Sequence, residues 1–294
     1  MRNAFMDELG RLAEADERVV LIVGDLGFSV VEGFAERFGP RFINAGIAEQ
    51  NMMGLAAGMA SEGFRPFVYS IANFPTFRCA EQIRNDVDYH RLPVTVVAVG
   101  GGLAYGNLGY SHHAVQDYGL MRLLPNMTLA APGDPQQVRA CMRWIHANPG
   151  PAYLRLGKAG EPVMHPDVPR VSPGTWLPVA APKGARRTLL TTGAPLALAR
   201  QWLERPEYAG YALHALPLWG MASKAAQAAQ VAAWDEVITV EDHLPDGGFG
   251  SWLREAVSLG QPELNARIRT RALDPVVCGM VGKQDTLNRA GGLA

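Results

Sequence analysis

Short apolar runs, many of them β-branched, alternate with helix-like segments along most of this chain, and that alternation restricts its fold. The strand candidates in its first half are residues 19–26, 65–71, 92–100, 126–132 and 151–157. The helix candidates between them are residues 3–15, 47–64, 79–90, 114–122 and a segment that begins at Asp134. This alternation predicts a mostly parallel sheet with helices on both faces, which is a doubly wound α/β domain.

The alternation stops at residues 161–187, which contain six prolines and show no helical period. Strand-like segments then resume at 187–194, 211–218 and 236–242, and the last helix is expected at 251–260. We therefore predict a first domain over residues 1–160, a Pro-rich linker or hairpin crossover over 161–187, and a smaller second domain over 188–294. The expected fold class is α/β with two doubly wound domains.

The composition narrows the class of protein. The 294 residues are 48% hydrophobic and 19% charged, enough to bury two cores. A net charge of −1 argues against nucleic acid or an anionic membrane as partner, and no apolar run approaches the ~20 residues of a membrane span. Cys79, Cys141 and Cys278 lie far apart, as expected of reduced cysteines in a cytoplasmic protein. The charged, helix-like N-terminus does not resemble a signal peptide.

The segment 41–77 is the most informative stretch of the chain. It places Glu49 in the first turn of a helix that is otherwise small and apolar. Gly54 and Gly58 on one side of that helix would let another backbone approach closely. A carboxylate in a first turn commonly caps the helix or interacts with its dipole, and the residues alone leave that explanation open.

The residues N-A-G-I-A-E-Q-N-M-M-G-L-A-A-G, from Asn44 to Gly58, resemble the pyrimidine-domain motif of the transketolase family. That family includes transketolase, deoxyxylulose phosphate synthase and the β subunits of 2-oxo acid dehydrogenases. The resemblance implies a pyrimidine-type, thiamine diphosphate-binding fold followed by a transketolase C-terminal-like domain. It also implies that Glu49 is catalytic and binds N1′ of the cofactor's aminopyrimidine. A carboxylate there keeps N1′ protonated, which favours the imino tautomer that accepts the C2 proton.

Two further motifs extend the resemblance. F-P-T-F resembles the family's F-x-x-F, which implies that Phe74 and, more strongly, Phe77 pack on the cofactor ring; otherwise they are ordinary core residues. The loop G-N-L-G-Y-S-H-H resembles G-x-D-G-x-T-H-Q, which implies that His112 is catalytic and contacts substrate. His113 stands in place of glutamine and is also expected at the substrate. An isolated His-His pair could instead indicate a metal or a surface site, but no third ligand has useful spacing, and we predict no metal site on this chain.

Matching positions also suggest where a substrate phosphate would bind. The family's phosphate-binding positions hold Arg2, Ser29 and Lys158, although Arg2 and Lys158 are equally explained as surface charges. Asp25 matches the aspartate of the family's D-L sequence and is expected at the cofactor.

Three residues depart from the family pattern. Transketolases have a histidine and synthases an arginine where this chain has Gly100 and Gly101, and both have an aspartate in place of Leu108. These changes alter the sugar end of the expected pocket.

The segment 240–255 resembles the family's C-terminal-domain motif E-x-H-x-x-x-G-G-x-G. The glycines make a tight turn from strand to helix. We therefore assign Glu241 and His243 no catalytic role.

The family's diphosphate- and Mg²⁺-binding sequence, G-D-G followed by N-N, has no match in this chain. Gly24-Asp25-Leu26 lacks the third glycine and the later asparagine pair. The resemblance therefore implies a split enzyme whose thiamine diphosphate and Mg²⁺ are held mainly by a separate N-terminal, diphosphate-binding α subunit. It also implies a β–β contact within an α₂β₂ assembly.

The preferred function is transfer of a two-carbon ketol unit from a ketose, or ketose phosphate, to an aldehyde. Two alternatives remain. Gly100, Gly101 and Leu108 would give a smaller, less polar pocket, which would suit pyruvate or another 2-oxo acid in a decarboxylating acyl transfer. The chain could also be a non-catalytic scaffold, although a scaffold would need neither Glu49 nor His112.

Overall fold

A computed structural model describes residues 1–158 and 160–293. The strands in this part of the chain are β1 (Val19–Val23), β2 (Phe42–Asn44), β3 (Arg65–Ile71), β4 (Thr95–Val99), β5 (Thr128–Ala130), β6 (Ala152–Leu156), β7 (Leu177–Ala180), β8 (Arg187–Thr191), β9 (Ala212–Ala215), β10 (Leu218–Trp219), β11 (Glu236–Val240) and β12 (Ile268–Arg271). The α-helices are α1 (Arg2–Ala15), α2 (Glu32–Phe38), α3 (Glu49–Ser61), α4 (Asn73–Phe77), α5 (Ala80–Gln82), α6 (Asp117–Met121), α7 (Pro135–Ala147), α8 (Pro195–Trp202), α9 (Gln227–Ala232), α10 (Phe249–Ser258) and α11 (Gln284–Ala290).

The strands form two sheets. The first has the order β10-β5-β6-β4-β3-β1-β2, and the second has the order β12-β11-β8-β9-β7. All neighbours pair in parallel except β10 with β5 and β7 with β9. The predicted α/β fold class, with two mostly parallel sheets, is confirmed.

The first sheet is covered on both faces, and its strand β1 is apolar and buried at every position. In β1, Val20 and Ile22 pack in the same cluster as residues of α3. Val19, Leu21 and Val23 point the other way, into a cluster with residues of α1, α2 and α7. This two-sided burial is what a doubly wound sheet requires.

The second sheet is packed in the same way. Leu189 and Ile238 lie in a cluster with residues of α8 and α11. Leu190, Val237 and residues of α10 belong to the cluster that also contains α3. One continuous apolar core therefore runs through both domains.

The segment predicted as a Pro-rich linker, 161–187, contains a strand. Residues Leu177–Ala180 form β7, which pairs antiparallel with β9 at the edge of the second sheet. An edge strand tolerates Pro178 because one side of its backbone is not needed for the ladder. The second half of the chain also contributes a strand to the first sheet, because β10 pairs antiparallel with β5.

Two predicted helix boundaries differ from the structure. The helix expected over 79–90 is a short α5 followed by a π-helical segment, Ile83–Asp88. The segment 251–260 is helical in α10, but it is not the last helix, because β12 and α11 follow it. Polar residues interrupt the apolar period of β12 and α11, and for that reason the sequence pattern did not predict these two elements.

A buried ion network joins the two domains. Arg155 in β6 donates from Nε to Asp117 Oδ2 (2.7 Å) and from Nη1 to Asp242 Oδ1 (2.6 Å), and all three side chains are buried. Asp242 follows β11 of the second sheet, so the pairing fixes one sheet against the other.

The C-terminal motif has a structural role. Glu241 accepts hydrogen bonds from the amides of Phe249 (2.5 Å) and Gly250 (2.8 Å) at the start of α10. His243 stacks on Tyr118 with ring centroids 5.3 Å apart.

Among the described residues, none of the helices has the length and apolar character needed to cross a membrane.

Candidate functional site

The carboxyl ends of the parallel strands in the first sheet bring most of the predicted site residues to one edge. Asp25 follows β1, and Phe74 lies in α4 just after β3. The loop with His112 follows β4, and Lys158 follows β6. Ligands of open α/β sheets bind at this edge, because loops from neighbouring strands converge there.

Glu49 is the first residue of α3 and is 7% exposed. Its Oε1 accepts a hydrogen bond from Arg78 Nη1 at 2.8 Å. Its Oε2 has no hydrogen-bond partner among residues 1–158 and 160–293. No amide at the start of α3 donates to its side chain, so capping does not explain this carboxylate.

Arg78, Phe74 and His112 form a series of contacts that begins at Glu49, and we call these four residues the Glu49 cluster. The Arg78 guanidinium lies 4.5 Å from the Phe74 ring centroid. The His112 ring meets the same phenylalanine edge-on, with centroids 5.2 Å apart. One charged pair, one aromatic face and one imidazole are thus placed side by side.

His112 is half-buried, and Ser111 Oγ lies 3.0 Å from its Nδ1. Burial lowers the pKa of His112 below the ordinary value of 6.5, and electrostatic interactions with His113 and Arg78 lower it further. The imidazole is therefore neutral at pH 7 and is suited to accept a proton.

Phe77 and His113 occupy different environments. Phe77 is 47% exposed and presents an uncovered aromatic ring near the Glu49 cluster. His113 is fully buried, with Nε2 3.4 Å from the carbonyl oxygen of Gly106 and Nδ1 without a partner among the described residues. The ring of His113 packs inside its loop, so its predicted contact with substrate would require that loop to change.

Asp25 helps to shape the loop that leads to Glu49. It adopts a left-handed backbone conformation (φ 54°), and its amide donates to Asn44 Oδ1 at 3.0 Å. Asn44 Nδ2 donates back to Asp25 Oδ1, also at 3.0 Å. Asn44 Oδ1 also accepts from the amide of Gly46. These bonds fix the turn that precedes α3.

Lys158 contacts a second aromatic residue, Tyr105, and Arg2 lies within electrostatic range of it. Lys158 Nζ lies 4.7 Å from the Tyr105 ring centroid. The charge of Arg2 opposes the effect of burial, which raises the pKa of both Tyr69 and Tyr105. Arg2 therefore lies near both phenols. That Arg2 and Lys158 share one phosphate site stays a prediction.

Ser29, the third predicted phosphate contact, lies in the exposed loop after β1 with a left-handed backbone (φ 62°). Its amide donates to Glu32 Oε1 at 2.7 Å. No hydrogen bond in the described part of the chain links it to Arg2 or Lys158.

The two glycines that depart from the family pattern do not leave an empty, apolar space. A Cβ on Gly100 would lie 2.1 Å from Tyr105 Cε2, and a Cβ on Gly101 would lie 2.6 Å from Arg155 Cζ. A phenol and a guanidinium therefore fill these positions. The expectation of a smaller, less polar pocket is not supported at Gly100 and Gly101, whereas Leu108 is indeed apolar and half exposed.

Sequence reasoning missed Arg78 and Tyr105. Arg78 directly follows F-P-T-F, and a cation next to an aromatic motif was a usable signal. Tyr105 gave no such signal, because its role depends on packing against Gly100 across a turn. Within residues 1–158 and 160–293, no group of three or more His, Cys, Asp or Glu side chains is arranged to hold a metal ion.

Comparison with known proteins identifies the family. The profile of the transketolase pyrimidine binding domain matches residues 1–160. The chain belongs to the transketolase family. Members of this family are thiamine diphosphate enzymes, and the match covers the β1–β6 domain that carries the Glu49 cluster.

The similarity to individual transketolases extends beyond that domain. The chain is 32% identical to an apulose-4-phosphate transketolase subunit of Phocaeicola vulgatus, over 87% of this chain and 83% of the relative. It is 30% identical to a 6-deoxy-6-sulfo-D-fructose transketolase subunit of a Clostridium species, over 100% and 90% of the two chains.

A solved structure of a split gene transketolase, described as an inactive β₄ tetramer, superposes with a TM-score of 0.83 at 30% identity. That alignment covers 100% of this chain and 93% of the other. The predicted resemblance to the C-terminal subunit of a split transketolase is confirmed.

Proposed function

We propose that this chain is the β subunit of a two-component, thiamine diphosphate-dependent transketolase-type enzyme. The enzyme would move a two-carbon ketol unit from a ketose to an aldehyde. The observation that carries the proposal is the buried Glu49 carboxylate, which has one oxygen without a partner among the described residues and is linked through Arg78 and Phe74 to a neutral histidine. A scaffold subunit would have no use for that arrangement.

The residues of the site fit the aminopyrimidine half of thiamine diphosphate. Glu49 would bind N1′ through its free oxygen, and Phe74 and Phe77 would pack on the ring. When bound, the cofactor supplies a nucleophilic carbon that carries the transferred two-carbon unit. His112, the imidazole of the Glu49 cluster, is neutral at pH 7 and would accept and return substrate protons.

A partner subunit would supply the remaining half of the site. Phe28 and Ile47 follow β1 and β2 at the edge that carries the site, and each is 76% exposed. A partner that covered this edge would bury both side chains. The chain also lacks the G-D-G and N-N sequences that would bind diphosphate and Mg²⁺. Both features support an N-terminal α subunit that holds Mg²⁺, within an α₂β₂ assembly with a β–β contact.

The description of one related structure, a split gene transketolase, as an inactive β₄ tetramer fits this assembly. The β chain of that protein forms a tetramer, and that tetramer is described as inactive. A cytoplasmic location is part of the proposal and rests on the three free cysteines.

The donor would carry an anionic group. Arg2 and Lys158 lie near one aromatic ring, and their two positive charges would bind a phosphate or a sulfonate. The names of the two relatives contain a sugar phosphate and a sulfosugar, which supports a donor of this class.

The test is to co-express this chain with a transketolase N-terminal subunit, add thiamine diphosphate and Mg²⁺, and follow ketol transfer from ketose phosphates to aldehydes. Transfer by the pair, and none by either chain alone, is expected. Release of CO₂ from pyruvate without ketol transfer would favour a 2-oxo acid enzyme instead. Failure of the pair to bind thiamine diphosphate in calorimetry would favour a scaffold.

A further inference from the structure

We propose that Tyr105 sets the donor specificity of this subunit. Its ring takes the space of the side chain missing at position 100, and it positions Lys158 for a tetrahedral oxyanion on the donor. The functional half of this inference rests on the proposed function, and the steric half does not.

The Tyr105 ring lies where a side chain on residue 100 would lie. Gly100 follows β4 with φ +81°, and a Cβ built on it would lie 2.1 Å from Cε2 and 2.4 Å from Cδ2 of Tyr105. Real non-bonded carbon atoms do not approach so closely. The Tyr105 ring in this position and a side chain at residue 100 therefore exclude each other. A residue five positions further along the chain therefore fills the space that a side chain at residue 100 would take.

Two positively charged side chains, Lys158 and Arg2, lie near Tyr105. Lys158 Nζ lies 4.7 Å from the centre of the Tyr105 ring, so the aromatic face holds the ammonium group after β6. Arg2, at the start of α1, lies within electrostatic range of the phenol. Two cations from elements that are distant in sequence thus lie near Tyr105, one of them in contact with its ring.

The Tyr105 hydroxyl is itself a possible hydrogen-bond donor. Burial raises the pKa of Tyr105, so the hydroxyl stays protonated near neutral pH and is able to donate a hydrogen bond. It makes no hydrogen bond to any described residue, and Arg2 Nε is buried without a partner among them. A phosphate or sulfonate oxygen accepts from a phenol and from a guanidinium at once, which a neutral sugar end does not do as well.

The steric half is tested by a stability cycle on this chain alone, with Gly100→Ala, Tyr105→Ala and the double variant. Gly100→Ala strains the backbone in both backgrounds, because φ is positive in both, and that cost cancels in the cycle. We expect Gly100→Ala to lower the melting temperature clearly when Tyr105 is present and much less in Tyr105→Ala. Equal losses in the two backgrounds would overturn the assignment of the space to Tyr105.

The functional half is tested with the reconstituted complex and three donors: a ketose phosphate, its sulfonate analogue and the same ketose without an anionic group. We expect Tyr105→Ala to reduce the preference for both anionic donors over the neutral one by about tenfold or more, mainly through KM. Tyr105→Phe keeps the ring and the Lys158 contact and should lose a smaller part. Phosphate and sulfonate donors that respond differently would identify which oxyanion the site is built for.

Asn107→Ala is the matched control, since Asn107 is exposed in the same loop, two residues from Tyr105. It should leave the donor preference unchanged. An equal change for all three donors in Tyr105→Ala, or no change, would overturn the specificity role. If the unmodified complex transfers no ketol unit from any donor, the proposed function fails, and the stability cycle still decides the steric half.

Discussion

Arg78 donates a hydrogen bond from Nη1 to Oε1 of Glu49 at 2.8 Å, while its guanidinium lies over the ring of Phe74. The carboxylate is buried, but the arginine is 53% exposed at its side chain. The pair therefore has an exposed half and a buried half. Glu49 keeps one oxygen available, and Arg78 compensates its charge without closing the site.

Replacing Glu49 with glutamine keeps the shape and removes the charge. Because an amide does not hold a protonated ring nitrogen as a carboxylate does, kcat of the assembled complex should fall by about 100-fold or more. The unfolding free energy should change by less than about 1 kcal/mol, since the lost ion pair is partly exposed. Glu62→Gln, at the exposed end of α3, is the matched control. Unchanged turnover in Glu49→Gln would refute the assignment.

Removing the positive charge of Arg78 should shift the pH profile. Burial, His113 and Arg78 all lower the pKa of His112, so the neutral imidazole persists below pH 6.5. We expect the acid limb of kcat/KM to lie below pH 6.5 in the unmodified complex. In Arg78→Ala the pKa of His112 should rise, and the limb should move to higher pH. Arg78→Lys keeps the charge and should leave the limb in place; a limb that moves equally in both variants contradicts this account.

The buried arginine between the two domains should be far more sensitive to substitution than an exposed one. Arg155→Met leaves Asp117 and Asp242 buried without their shared cation, and should lower the unfolding free energy by about 3 kcal/mol or more. Arg186→Met removes an exposed pair with Asp235 and should change the unfolding free energy little. Urea unfolding of both variants measures the difference, and similar losses would show that the interdomain network contributes little.

The strands could be predicted because their signal is local. Residues 19–23 are apolar and β-branched at nearly every position, and such a run has few alternatives to a buried strand. The position of Glu49 at the head of α3 was readable for the same reason, since the small, apolar helix follows it directly. The strand β7 was hidden because prolines in its neighbourhood imitate a linker.

The site was predictable only where a motif is contiguous. Glu49, Phe74, Phe77 and His112 lie in short motifs, and the structure places them at one sheet edge. The contacts of Arg78 with Glu49 and of Tyr105 with Gly100 and Lys158 depend on how three loops fold against each other. A single sequence carries no local sign of such contacts. For that reason the sequence suggests an empty space at Gly100, whereas in the structure the Tyr105 ring fills that space.

Acid should weaken the second domain through a buried histidine. His214 in β9 has Nδ1 2.8 Å from Thr188 Oγ1 and packs against Trp234, and burial lowers its pKa to about 4. Between pH 6.5 and pH 4 the unfolded chain binds a proton that the folded chain does not. Stability from this group is therefore complete above pH 6.5 and is lost as the pH falls.

From pH 7 to pH 5 the loss from His214 should be about 2 kcal/mol of unfolding free energy. His214→Asn retains a polar group for Thr188 but does not titrate, so its stability should fall less steeply over the same range. Urea unfolding at pH 7, 6 and 5 measures both slopes. If the two slopes are the same, another group governs the acid sensitivity, because the substitution removes the only proton-binding group that this explanation uses.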